Sequence, residues 1–279
     1  MTGKTCLITG ATSGIGQETA IALARFGARV LIVGRDADRA RATVERISRD
    51  TGSEQAAFLV ADLSSMDGVR RLAREARESF PKLDVLVNNA GAIFTRRQTT
   101  VDGFERTWAL NHLAYFLLTW ELLDLLKASA PARIVNVAST MHNGGVIDFD
   151  NLQGENGYGG VRAYSQSKLA NVLFTYALAR RLKGSGVTAN CLHPGGVATR
   201  FGHNRAGMID VILRLAKPFL LTAEQGAATP IYLASSPDVA SVSGEYFYKC
   251  KIDTPSAAAQ SDEDAARLWD VSKQLSGVG

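Results

Sequence analysis

The sequence predicts an α/β protein in which a doubly wound parallel sheet of about seven strands carries helices on both faces. Three observations predict it. Short apolar runs alternate with longer amphipathic ones along the whole chain. A glycine-rich turn joins the first apolar run to the first helical pattern. No repeat, low-complexity tract or linker interrupts the alternation. Such alternation implies parallel strands covered by helices on both sides.

Seven runs read as strands: Thr5–Ile8, Arg29–Val33, Ala57–Val60, Val85–Val87, Arg133–Val137, Val187–Leu192 and Glu245–Phe247. Each is short, rich in Val, Ile and Leu, and suited to a buried strand. Helical patterns lie between them. In the first, Gln17 to Phe26, residues Ile15, Ala22, Leu23 and Phe26 share a face, and Gly27 supplies the C-terminal stop. The longest patterns are Asp102–Lys127 and Ala163–Lys183. Two regions break the rhythm. Thr140–Gly160, rich in Gly and Asn, is expected to be a loop beside the active site. Arg200–Thr222 mixes apolar clusters with few charges and fits a small helical lid over a substrate. The length, 279 residues, suits one domain over 1–279, with a cofactor half over 1–138 and a catalytic and substrate half over 139–279.

The glycine turn is Thr9-Gly10-Ala11-Thr12-Ser13-Gly14-Ile15-Gly16. Strand, glycine turn and helix in that order form the context of a dinucleotide site. The glycines let backbone approach a pyrophosphate, and the helix N-terminus offers unpaired N–H groups to it. The fold is therefore expected to be Rossmann-type. The spacing is T-G-x-x-x-G-x-G rather than G-x-G-x-x-G. In the second half, Tyr164 and Lys168 stand one helical turn apart and project from the same face. A tyrosine hydroxyl, near ~10 in water, is a poor base at neutral pH. A fixed ammonium beside it favours the phenolate, so the pair can pass a proton to or from an alcohol oxygen.

With these residues in view, the chain resembles the short-chain dehydrogenase/reductase family. Five further segments fit that family's order. They are Asp62-Leu63; Asn88-Asn89-Ala90-Gly91; Asn111; Ser139, closing Ile134–Ser139; and Pro194-Gly195 with Thr199. Asn111-His112-Leu113, Ser167–Phe174 and Arg267-Leu268-Trp269 are similar to the retinol dehydrogenase-like branch. The resemblance implies roles. Tyr164 is the general acid/base and Ser139 steadies the substrate oxygen. Lys168 lowers the Tyr164 pKa and binds the nicotinamide ribose. Asn111 holds a water on the proton path. Gly10, Thr12, Ser13, Gly14, Ile15 and Gly16 cradle the pyrophosphate. Asp62 and Leu63 meet the adenine, with Asp62 accepting from its amino group. Asn89, Ala90 and Gly91 lie by the adenosine ribose. Pro194, Gly195, Val197 and Thr199 hold the nicotinamide end. It also implies a homodimer or homotetramer paired through Asp102–Lys127 and Ala163–Lys183.

An NAD-type site places an acid at the end of the second strand. Here Val33 is followed by Gly34 and Arg35, and Arg35 can pair with a 2′-phosphate. The expected cofactor is NADP(H) over NAD(H); Asp36 either turns inward against this or caps the next helix. Phe201, Met208, Ile212, Leu215 and Phe219 of the lid, with Tyr158 and Met141, point to a small apolar carbonyl or alcohol substrate, retinoids among them.

Composition narrows the classes further. Apolar residues make up 46%, enough for a sizeable core, and the net charge of +4 comes from 31 basic and 27 acidic residues. The basic residues are spread along helix faces, as in Arg70-Arg71-Leu72-Ala73-Arg74, so no nucleic-acid partner is expected. Cys6, Cys191 and Cys250 are scattered, and no two of the four histidines stand at i, i+4, so no metal site is expected. Met1–Lys4 runs almost directly into the first strand and no apolar stretch is long enough to span a bilayer, so the expected location is cytoplasmic. Two alternatives stand beside a carbonyl–alcohol enzyme: a carbon–carbon double-bond reductase of the same family, and an inactive NADP-binding redox sensor.

Overall fold

The computed structural model describes residues 1–197 and 220–279. In chain order its main elements are β1 (Thr5–Thr9), α1 (Gly14–Arg25), β2 (Arg29–Gly34), α2 (Ala37–Thr51), β3 (Ala56–Val60), α3 (Met66–Ser79) and β4 (Val85–Asn88). A short α4 (Arg106–Trp108) runs through a π-turn (Ala109–Leu113) into α5 (Ala114–Ala128). The second half continues with β5 (Ala132–Val137), a 3₁₀ turn (Thr140–Gly144), α6 (Gly160–Arg181), β6 (Val187–His193), α7 (Ala223–Ser235), β7 (Tyr246–Tyr248), β8 (Lys251–Ile252) and α8 (Asp262–Ser276). The described strands form one sheet in the order β3-β2-β1-β4-β5-β6-β7-β8. All neighbours pair in parallel except β7 and β8, which are antiparallel. Two apolar clusters, one on each face, complete the doubly wound fold: α1 and α7 cover one face, and α3, α5 and α6 the other.

The switch in strand order falls between β1 and β4, which opens a crevice at their C-terminal ends. At the opposite ends a buried carboxylate ties the two strands together. Asp84 Oδ1 takes Lys4 Nζ and Lys82 Nζ at 2.8 Å each, and Oδ2 accepts the Thr5 N–H at 2.9 Å. Burial alone would raise this carboxyl; the two ammonium groups and the backbone bond outweigh it and hold it below the ordinary range.

Three elements depart from the sequence-based expectation. The eighth strand is only two residues long and follows a turn in which Lys249 and Cys250 both have positive φ, at 48° and 60°. Such turns normally announce themselves with Asn or Gly, and these do not. The helical pattern expected from Asp102 starts at Arg106 instead, with Glu105 as its cap: the carboxylate accepts from the Thr107 and Trp108 N–H groups. Asp102 is drawn away to accept from Met66 N–H at the start of α3. Finally, α6 is buried all round. Every residue from Tyr164 to Thr175 is buried within the single chain.

The C-terminal helix α8 supplies much of that cover. Trp269 lies 5.1 Å from Phe116, 6.2 Å from Trp120 and 6.0 Å from Phe174 between ring centroids, and the Arg181 guanidinium stacks 4.1 Å above it. His112, fully buried on the π-turn, meets Ser272 at 2.8 Å. Much of α6, which the resemblance assigns to subunit pairing, is thus packed inside its own chain. Trp269→Ala should cost about 3–5 kcal/mol by leaving a cavity among three aromatic rings. Urea unfolding followed by circular dichroism checks it; a loss below ~1 kcal/mol would show that α8 does not hold α6 down.

Candidate active site

Of the expected catalytic and cofactor-binding residues among those described, all but Asn111 line one cleft of about 610 Å³ where the C-terminal ends of the strands meet. Thr199 lies outside the described residues, as do Phe201, Met208, Ile212, Leu215 and Phe219 of the expected lid.

The cleft floor is built by close backbone approach. Gly10 has φ +65°, and a β-carbon on it would stand 2.7 Å from Ala90 Cα. A β-carbon on Gly16 would strike Asn89 Nδ2 and the Gly10 carbonyl. Side chains then knit the loops after β1 and β4. Thr9 Oγ1 accepts from the Asn89 and Ala90 N–H groups at 2.9 and 3.0 Å. Asn89 Nδ2 donates to the carbonyls of Thr9 and Gly10 at 2.8 and 3.2 Å. The N-cap of α1, Ser13, makes no side-chain cap bond, and no acid stands in the first turn. The helix therefore presents its N–H groups and positive dipole end to the cleft. These features fit a dinucleotide's pyrophosphate.

At the end of β2, a β-carbon on Gly34 would run into the Thr12 side-chain methyl, which would have to shift, and no acid stands at this position. Asp36 caps α2: its Oδ1 accepts from Asp38 and Arg39 N–H at 3.1 Å each. Arg35 reaches the cleft wall, and so does Arg39, which sequence reasoning missed. Its spacing from Arg35 marks no shared helix face, because Arg35 lies before the cap of α2. Arg106 also lines the cleft, with its guanidinium 4.8 Å from the Phe94 ring centroid; nothing in the local sequence marks it. Asp62 accepts from Ser64 N–H and Oγ at 2.9 and 2.7 Å. Burial raises its carboxyl, but these bonds with the Arg106 and Arg35 charges carry it below the ordinary range.

Ser139 follows β5, Tyr164 lies in the first turns of α6, and Lys168 stands one turn on. All three line the cleft. Lys168 is 2% exposed; its Nζ donates to the Val137 carbonyl at 2.8 Å and lies 5.7 Å from the Tyr164 ring centroid. Burial pushes this amine down to about 7. Asn111 lies behind the cleft on the π-turn, a distortion frequent at functional sites. Its Oδ1 accepts from Ala92 N–H, and its Nδ2 donates to the Ala92 carbonyl and to Ser167 Oγ, all at 2.9–3.0 Å. Ser167 Oγ in turn donates to the Tyr164 carbonyl at 2.7 Å. Asn111 thereby clips the loop after β4 to the first turns of α6. Ile93, Phe94 and Leu110 add an apolar wall. Tyr158 is not part of that wall, nor is Met141. The Tyr158 hydroxyl donates to the Phe94 carbonyl at 2.8 Å and props that segment from behind.

A family model of the short chain dehydrogenases matches residues 4–209. The chain belongs to the short-chain dehydrogenase/reductase family. Mouse retinol dehydrogenase 12 is 44% identical over 276 residues, covering 99% of this chain and 87% of that protein. Human retinol dehydrogenase 14 is 44% identical over 299 residues, covering 100% and 88%. These similarities set the chain in the retinol dehydrogenase-like branch. Among solved structures, an uncharacterised protein from Mycobacterium Paratuberculosis superposes with a TM-score of 0.80 at 33% identity, covering 99% of this chain and 94% of that one. The Pseudomonas aeruginosa RhlG/NADP active-site complex superposes with a TM-score of 0.72 at 30% identity, covering 93% and 97%. The chain is thus a nicotinamide-dependent oxidoreductase acting on a CH–OH group. No helix among the described residues is long and apolar enough to cross a membrane.

The low Lys168 value has a consequence for stability. From about pH 7 to 10.5 the folded chain binds fewer protons at this site than the unfolded chain. The penalty of a buried ammonium is therefore full below about 7 and fades as pH rises to 10.5. Lys168→Met should stabilise the protein, relative to wild type, by a few kcal/mol more near pH 6 than near pH 10, whatever the loss of the Val137 bond costs at both. Urea unfolding at the two pH values measures it. Equal differences would mean that Lys168 is not held as a neutral amine.

Proposed function

We propose that the protein is an NADP(H)-dependent oxidoreductase that interconverts an apolar aldehyde or ketone and its alcohol, with Tyr164 as general acid/base. The observation that carries this reading is the presence of Ser139, Tyr164 and Lys168 on the same cleft as the glycine loop. Retinol dehydrogenases among its relatives support the carbonyl–alcohol chemistry.

The nicotinamide supplies or accepts the hydride; the chain's own residues do the rest. In reduction the Tyr164 hydroxyl gives its proton to the substrate carbonyl oxygen; in oxidation it takes one from the alcohol. Ser139 Oγ donates to the same oxygen and steadies its developing charge. Lys168, whose amine releases a proton near neutral pH, favours the Tyr164 phenolate when charged and exchanges protons when not. Asn111 keeps the loop after β4 and the start of α6 in register. Gly10, Thr12, Ser13, Gly14, Ile15 and Gly16 hold the pyrophosphate. Asp62 and Leu63 meet the adenine, and Asn89, Ala90 and Gly91 its ribose. Pro194, Gly195, Val197 and Thr199 hold the nicotinamide end. Arg35 and Arg39 line the cleft where they would hold a 2′-phosphate, and Gly34 stands where an NAD site would carry an acid.

Ile93, Phe94 and Leu110 favour an apolar substrate, which the site orients through one oxygen only. A screen of aldehydes, ketones and alcohols with both cofactors tests the reading. Catalytic efficiency should rise with apolar size and favour NADP(H) by roughly 10- to 100-fold, the worth of one or two charge-assisted phosphate bonds. Arg35→Ala should erode that ratio. An NAD(H) preference, or a preference for charged or polyhydroxylated compounds, would overturn it.

Tyr164→Phe removes the hydroxyl and little volume. It should lower kcat by about 10²–10⁴ while cofactor affinity, read by fluorescence titration, is retained. Wild-type turnover in a folded Tyr164→Phe protein would move the proton donor elsewhere.

A further inference from the structure

His142 lies three residues past Ser139 and is 1% exposed. Both ring nitrogens are engaged. Nε2 accepts the Ser256 backbone N–H at 3.1 Å, and Nδ1 meets the Ser139 carbonyl at 2.6 Å. A nitrogen that accepts an N–H carries no proton, and a carbonyl only accepts. The ring is therefore neutral with its hydrogen on Nδ1, and Nδ1–H donates to Ser139. Burial lowers the imidazole pKa, against the opposing pull of the Ser139 bond and Asp253.

The Ser139 carbonyl thus accepts two donors, this Nδ1–H and the His142 backbone N–H at 3.1 Å. Two donors on one carbonyl fix the plane of the peptide that follows Ser139. That plane sets the backbone from which the Ser139 side chain projects into the cleft. The 3₁₀ turn itself is seated hard on α6: a β-carbon on Gly145 would stand 2.6 Å from the Ser165 carbonyl. On its other side, His193 Nδ1 accepts from Thr140 N–H at 3.2 Å and Gly195 N–H at 3.4 Å, joining this loop to the one after β6.

We propose that His142 is a positioning residue for Ser139: as the Nδ1–H tautomer it fixes the Ser139 carbonyl and anchors it to the C-terminal segment at Ser256. The proposal rests on the functional reading above, in which Ser139 contacts the reacting oxygen. It adds that the aim of Ser139 depends on the contact between His142 and a residue 114 positions beyond it in the chain.

Three variants divide the link. His142→Phe keeps the ring volume and removes both bonds. His142→Asn can still donate to Ser139 but does not reach Ser256. His142→Gln reaches towards Ser256 but not Ser139. Turnover should fall roughly 10- to 100-fold in His142→Phe, recover partly in His142→Asn and stay low in His142→Gln, with cofactor affinity within about threefold of wild type throughout. In a Ser139→Ala background, His142→Phe should change kcat less than twofold, because the group it aims is gone. Nitrogen-15 NMR of the imidazoles, assigned by the spectrum of His142→Phe, should report the Nδ1–H tautomer. An Nε2–H tautomer, full turnover in folded His142→Phe, or a full additive loss in the Ser139→Ala background would each overturn the inference. If Ser139→Ala itself keeps wild-type turnover, the functional reading fails instead, so the two failures are told apart.

Discussion

The cleft depends on how closely two loops can approach. The turn after β1 and the turn after β4 come together only because Gly10 and Gly16 carry no side chain. Once they meet, Thr9 and Asn89 satisfy the backbone groups that the two strand ends leave behind. A single added methyl at either glycine would force the loops apart. The N-terminal end of α1, the loop at Gly91 and the approach to Lys168 would move with them. Gly91 shows the same economy, since a β-carbon there would sit 3.3 Å from Asn111 Oδ1 and 3.6 Å from Lys168 Nζ.

The second constraint is the burial of α6. A helix buried on all sides usually reads as apolar all round, yet this one carries Ser165, Gln166, Ser167, Lys168, Asn171 and Thr175 inside. Each such group costs free energy unless it is bonded. Asn136 on β5 donates to Thr175 Oγ1 at 2.9 Å and accepts from Asn88 on β4 at 2.9 Å, so a polar rung runs from the sheet into the helix. Ser167 bonds Asn111, and Lys168 bonds Val137. Thr175, Ser167 and Lys168, polar residues that look misplaced in an interior helix, hold it at a fixed rotation and depth. Tyr164 and Lys168 inherit their direction from that fixing.

Much of this was legible. Seven strand runs, the glycine turn and the Tyr164–Lys168 spacing are local patterns, and local physics suffices for them: apolar period, turn chemistry and one helical turn. What escaped reading is tertiary. Asp102 looks like a helix start but is taken by Met66 N–H on another helix. Tyr158 looks like a substrate contact, but its hydroxyl is spent on Phe94. The eighth strand exists because Phe247 and Tyr248 offer it an edge, not because Lys251-Ile252 prefers to be extended. Arg106 lines the cleft only because the π-turn and α4 deliver it there. For Asp102 and Tyr158 the deciding partner lies far off in sequence, so no short window along the chain contains it.

The histidines extend the same logic to chemistry. His112, His142 and His193 are all buried, and burial lowers each, His112 to about 3 and His193 to about 4. A neutral imidazole, like an amide side chain, donates from one edge and accepts on the other. It can therefore bridge a carbonyl on one segment to an N–H on another without burying a charge. In this fold the loop after β5 is joined both to the loop after β6 and to the chain beyond β8, and among the described residues no strand pairing joins them. One such bridge at His142, and His193 Nδ1 accepting from the Thr140 and Gly195 N–H groups, supply bonds that sheet geometry does not. Protonating either would set donor against donor, so their low basicity is a condition of the architecture rather than a by-product of it.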